Sequence, residues 1–161
     1  SVTMPDSAER VFIVEDATAR SSSNYTLTVK TVSGTGLALP IGSTTVLYSD
    51  GTNITGKLQT KGYYTPSATY TTVNGDQVLI DTSGGGIGTA ITINLPASPA
   101  IGNEVTFIDS GNNLASNNLT IGRNSSNING TGSDLVVSAN ASAFTLVYVN
   151  ATRGWVYKDK I

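Results

Sequence analysis

The side chains that could do chemistry are few, and their spacing suits little of it. Histidine and cysteine are both absent. That removes a Ser–His or Cys–His nucleophile pair, a thiolate, an imidazole metal ligand and any disulfide. Glu15 and Asp16 are adjacent carboxylates. Neighbours along a strand point to opposite faces, so this pair cannot close on one substrate as acid and base. A solvated strand end is its expected setting. Asp50, Asp76, Asp81, Asp109 and Asp134 lie near Gly, Asn or Ser, where a carboxylate accepts local backbone N–H bonds. None has the alternating spacing of a calcium loop. Gly84-Gly85-Gly86-Ile87-Gly88 is followed by neither Lys-Ser/Thr nor a helical pattern, so it is expected to be a hairpin turn and not a phosphate cradle. The five lysines fall in linker-like or terminal segments, apart from Lys30 at a strand end, and offer no buried Ser–Lys pair. No catalytic residue, cofactor or metal ligand is assigned, and the chain is expected not to be an enzyme. Seven N-x-Ser/Thr sequons, at Asn24, Asn53, Asn118, Asn124, Asn129, Asn140 and Asn150, follow from composition.

Aromatic residues are the remaining candidates. Tyr63 and Tyr64 lie in a polar segment, and Trp155 lies near the end of the sequence. Exposed rings among polar neighbours can stack on sugar rings or pack between subunits, so these three are the candidate contact residues. Trp155 also alternates with Val156 and Tyr157, a pattern that suits a core strand.

Composition narrows the class further. Of 161 residues, 23 are Thr, 18 Ser and 14 Asn, while charged residues make up only 12% and the net charge is −2. A nucleic-acid module needs a basic patch to neutralise phosphates, and nine scattered cations do not make one. No apolar run approaches the 18 residues or so of a spanning helix, so neither nucleic acid nor membrane insertion is expected. Ser1-Val2-Thr3-Met4-Pro5 has no basic stretch leading into an apolar one, unlike a signal peptide. The 39% hydrophobic share is enough for a core.

The elements that must position these residues are strands. Tyr25–Val32, Thr45–Tyr48, Gln77–Ile80, Ala90–Leu95, Asn118–Ile121 and Phe144–Val149 alternate with period two, and Val11-Phe12-Ile13-Val14 is a short apolar run. Asp50-Gly51, Asn74-Gly75, Asn129-Gly130 and similar pairs mark turns between them. The pattern also repeats. Val2–Pro5 matches Ile93–Pro96, Val11–Glu15 matches Val105–Asp109, Leu27–Lys30 matches Leu119–Gly122, and Thr45–Thr52 matches Thr145–Thr152. Fixed-order self-similarity marks repeated structural units. It makes Tyr48 and Tyr148 equivalent, with a shared structural role. The expected fold is all-β with no significant helix: two tandem, related, antiparallel β-sandwich modules of jelly-roll type. Residues 1–55 form the shorter one, 56–69 a linker and 70–161 the longer one.

Several phrases resemble a known β module. They are Gly75–Gly85, Ile91–Pro99, Gly102–Asp109, Asn117–Asn124 and the closing Gly154-Trp155-Val156. This module recurs in tail-fibre and related appendage proteins of tailed bacteriophages, and Leu27–Asn53 resembles a companion module of the same proteins. The resemblance implies a non-enzymatic structural protein of the virion, as a tail-fibre, collar or neck appendage. It also implies a homotrimer whose partners are other virion proteins and a possible host surface glycan. A capsid decoration protein and a carbohydrate-binding module using Tyr63, Tyr64 and Trp155 are the alternatives.

Overall fold

The structure is a computed structural model, and it describes residues 1–6, 9–16, 27–40, 42–59 and 62–159. Asn24, Lys61 and the Tyr25-Thr26 start of the Tyr25–Val32 run lie outside the described residues. Among those described, all regular structure is strand and none is helix. The chain divides into two compact units, with the boundary between Gly62 and Tyr63.

Unit 1 contains β1 (Val2–Met4), β2 (Glu9–Glu15), β3 (Leu27–Thr31), β4 (Leu37–Leu39), β5 (Thr44–Asp50) and β6 (Ile54–Gln59). They form two three-stranded sheets, β1-β3-β4 and β2-β5-β6. Val29 and Leu39 from the first sheet meet Leu47 and Ile54 from the second in one buried cluster, and Met4, Phe12, Val14, Leu27 and Leu37 pack against it. The period-two alternation places these residues inward and their neighbours outward.

Unit 2 contains β7 (Tyr63–Tyr64), β8 (Tyr70–Thr71), β9 (Gln77–Ile80), β10 (Ile91–Asn94), β11 (Glu104–Asp109), β12 (Leu119–Gly122), β13 (Leu135–Val137), β14 (Ala143–Asn150) and β15 (Gly154–Tyr157). Its sheets run β8-β10-β12-β13 and β7-β9-β11-β14-β15. From β7 to β12 the chain visits the two sheets in turn, and each return pairs parallel with the preceding visit. These are solenoid-like rungs. Antiparallel β13, β14 and β15 close one end.

The expectation of purely antiparallel pairing is therefore corrected. Parallel neighbours need a crossover connection, and here the crossover is the intervening strand in the opposite sheet. Short turns that read as hairpins serve instead as corners. The glycine turn at residues 84–88 is one of them: it joins β9 to β10, which lie in different sheets. Gly86 sits so close to Asp81 that a β-carbon there would land on the Asp81 carbonyl and carboxylate. Glycine is required at this corner by close approach, not by a phosphate.

The expected linker at 56–69 is corrected too. Ile54–Gln59 is β6, hydrogen-bonded to β5, and Tyr63–Tyr64 is β7, paired with β9. A polar edge strand and a polar linker have the same composition, so only the pairing tells them apart.

The internal repeat appears in the topology. Unit 1's β1-β3-β4 and β2-β5-β6 correspond to β10-β12-β13 and β11-β14-β15, with the same parallel or antiparallel sense at every pairing. In β1 and β3 the residue match also holds: Val2 facing Val29 corresponds to Ile93 facing Ile121. In β2 and β5 it slips by one. Phe12 facing Leu47 corresponds to Val105 facing Leu146, so Phe12, not Val11, is the counterpart of Val105. A one-residue slip exchanges the two faces of a strand. Tyr48 and Tyr148 are consequently not equivalent. Tyr48 matches Val147 on the outer face, and Tyr148 matches Ser49 on the inner one.

Candidate interaction surface

The carboxylates serve the backbone. Asp50 accepts the Thr52 and Asn53 N–H groups at 2.8 and 2.6 Å. Those bonds, Asn53's first, hold its carboxyl below the usual value. Asp81 accepts from the Ser83 hydroxyl at 2.5 Å and the Ser83 N–H at 2.9 Å, which lowers its pKa in the same way. Asp76 is buried and accepts from the Tyr70 hydroxyl at 2.8 Å and the Val73 N–H at 2.9 Å. Asp109 and Asp134 accept from Ala141 and Arg123, far off in sequence; local spacing does not show such bonds. Glu15 and Asp16 do point opposite ways, but only Glu15 is solvated. Asp16 is buried, its N–H bonded to the Ser43 carbonyl at 2.9 Å.

Of the three candidate aromatics, the structure exposes one. Tyr63 is 59% exposed. Tyr64 is buried and makes an edge contact with Tyr70, ring centroids 4.8 Å apart. Trp155 is fully buried and packs edge-on to Tyr148 at 5.6 Å. The expectation that all three could meet a sugar or a subunit is corrected for Tyr64 and Trp155: a ring enclosed on both faces has none to offer. Trp155 matches buried Ile54 of unit 1 in the repeat, which explains its burial.

A shallow cleft of about 370 Å³ in unit 2 is lined by Thr65, Pro66, Ser67, Asp81, Gly86 and Ile87, among others. Its carboxylate is the Ser83-bonded Asp81. The Ser83 N–H also donates to this carboxylate, at 2.9 Å.

An exposed apolar cluster lies on the outer face of β2 and β5. Val11 is 67% and Ile13 74% exposed. They stand directly opposite Tyr48 and Val46, both half-buried. The counterparts of these four in unit 2 are Glu104, Val147, Thr106 and Thr145. There Glu104 pairs with Lys158 at 2.8 Å, and the hydroxyls of Thr106 and Thr145 share a bond at 2.9 Å. One repeat thus presents a polar outer face where the other presents an apolar ladder. Sequence reading missed this face, although the signal was there. Val11-Phe12-Ile13-Val14 is apolar without alternation, and a strand of that kind presents apolar side chains on both of its faces.

No family model matches the chain, and no curated protein matches it. A solved structure described as "Structure of a chaperone-substrate complex" is similar at 16% identity with a TM-score of 0.48, over 99% of this chain. This chain spans 30% of the length of that one.

Proposed function

We propose that the protein is a non-enzymatic structural component of a bacteriophage particle, an appendage segment that assembles as a homotrimer. The resemblance of its phrases to tail-fibre modules supplies the class. The finer architecture we propose is two related two-sheet modules, each a short β-solenoid closed by antiparallel strands.

The observation that carries the assembly reading is the apolar ladder of Val11, Ile13, Val46 and Tyr48. Exposed branched aliphatic side chains side by side on a sheet cost solvation, and burying each against a partner returns about 1.5–3 kcal/mol. The occupant we assign is a second copy of this chain. The four side chains carry no charge, and the carboxylates of the same face, Glu9, Glu15 and Asp50, lie at the two ends of the ladder. A neutral Thr-, Ser- and Asn-rich chain with neither thiol nor imidazole also suits exposure on a particle, because its fold depends on no redox state.

The test is the mass of the full chain by light scattering after size exclusion. The expected result is a trimer that Ile13→Lys converts to monomer with an unchanged β-type circular dichroism spectrum. A wild-type monomer would overturn the trimeric reading in favour of a decoration unit that takes its symmetry from the capsid.

A further inference from the structure

The cleft of unit 2 is built where two parallel strands end together. β7 and β9 are neighbours with Tyr64 opposite Val78, so both run out at the same end of their sheet. Thr65 and Ser67 follow β7, and Asp81 follows β9. These residues line the cleft of about 370 Å³ together with the corner residues Gly85 to Ile87. Pro66 and Ile87 give it aliphatic walls.

The Asp81 carboxylate is fixed in that space. The Ser83 hydroxyl and N–H both donate to Oδ1, at 2.5 and 2.9 Å. A β-carbon on Gly86 would strike the carboxyl at Cγ and Oδ2, and one on Gly111 would strike it at Oδ1 and Cγ. Glycines from two successive corners thus leave room for it. The corner is braced as well. The Ile87 N–H donates to the Asp81 carbonyl at 2.8 Å, and the Gly86 and Gly88 N–H groups donate to the Ser83 carbonyl at 3.0 and 2.9 Å. The bonds from Ser83, its hydroxyl's first, keep the carboxyl below its usual pKa and so charged at neutral pH. Oδ2 accepts no hydrogen bond from a described residue. No described lysine or arginine pairs with Asp81.

We infer that this cleft binds a primary alkylammonium group. The group's N–H donors number three, and the lining offers as many side-chain acceptors: Asp81 Oδ2 and the hydroxyls of Thr65 and Ser67. A hydroxyl oxygen can accept whatever its own proton does. A guanidinium fork docks best on both oxygens of a carboxylate, and here Oδ1 is already taken twice by Ser83. A compact point charge needs only the remaining one. Pro66 and Ile87 suit the methylene stem of such a group. A quaternary ammonium or a sugar ring stacks on an aromatic face, and none lines the cleft. Calcium takes about six to eight oxygens, more than these side chains supply. Lysine side chains and small free amines carry the same group. The inference rests on unit 2 alone and not on the virion reading.

The probe is n-butylammonium chloride, titrated into the full chain at constant ionic strength and followed by amide NMR. The expected result is saturable shifts at Ser83, Gly85, Gly86 and Ile87 with a Kd of about millimolar order, the scale of one partly solvated ion pair with two hydroxyl contacts. n-Butanol and sodium chloride should give none, a comparison that leaves the protein untouched. Asp81→Asn keeps an oxygen for Ser83 and removes the charge, and it should weaken binding about tenfold or more. Thr65→Val, at an exposed position, should weaken it about threefold. Nα-acetyl-lysine N-methylamide separates the two sources. Shifts at the same amides assign the group to a lysine of a polypeptide, and their absence assigns it to a free amine. Butylammonium shifts that survive Asp81→Asn, or that n-butanol or sodium chloride reproduces, would overturn the inference. So would tighter binding of n-butylguanidinium, calcium or galactose, or no shift at these amides at about molar amine.

Discussion

At the scale of single residues, Trp155 and Tyr63 test what the aromatics do. Trp155 fills the centre of its strand's inner face beside Tyr148. Trp155→Ala should lower the unfolding free energy by about 3–5 kcal/mol in urea titration, the usual loss for a large buried ring. Tyr63 is mostly solvated, and Tyr63→Ser should change stability by no more than about 0.5 kcal/mol. Equal small effects would mean that Trp155 is not enclosed. A carbohydrate-binding reading is left with Tyr63 alone as an exposed ring of the original three. Loss of glycan binding with Tyr63→Ser, at unchanged stability, is the result that would revive it. The sequence favoured a core position for Trp155 through its alternation with Val156 and Tyr157, but alternation alone does not say which of two faces is inside.

At the scale of elements, that ambiguity decides what could be read and what could not. The strands are short, and turn residues punctuate them, so their existence was legible, as were the repeat and its order. The sense of pairing was not. A tight turn between two strands looks the same whether it folds a hairpin or carries the chain across to a second sheet, as 84–88 does between β9 and β10. The face of β2 was not legible either, because four consecutive apolar residues fit either register. The structure puts Phe12 and Val14 against the core and leaves Val11 and Ile13 outside. Phe12→Ala should therefore cost about 2 kcal/mol, part of the full value for a buried ring because Phe12 is half-buried. In dilute solution, where the chain is dispersed to monomer, Ile13→Ala should cost no more than about 0.5 kcal/mol. Urea titration of both variants at low concentration checks the assignment. The reverse order of costs would place β2 in the other register and remove the apolar outer face.

At the scale of the whole molecule, the charges predict a stability plateau with two shoulders. Asp6, Asp50 and Asp81 all have lowered pKa values. The leading causes are the Ser33 N–H for Asp6, the Asn53 N–H for Asp50 and the Ser83 hydroxyl for Asp81. A carboxyl whose folded pKa lies below its unfolded one stabilises the fold fully above the unfolded value of 3.8. That contribution is lost as pH falls through the lowered folded value. Lys158 is the opposite case. Its hydrogen bond to Glu104 raises its pKa above 10.5, so its contribution is complete below that value and is lost as pH rises through the raised one. Both Lys158 and Glu104 are partly solvated, which keeps the alkaline shoulder shallow. Between the shoulders there is no histidine to titrate, and stability should be flat from about pH 5 to pH 9. Thermal unfolding followed by circular dichroism across pH 2–11 measures the profile. The triple variant Asp6→Asn, Asp50→Asn, Asp81→Asn should flatten the acid shoulder and leave the alkaline one in place. An acid shoulder that survives in the triple variant would mean that carboxyls other than these three set the acid limit of the fold.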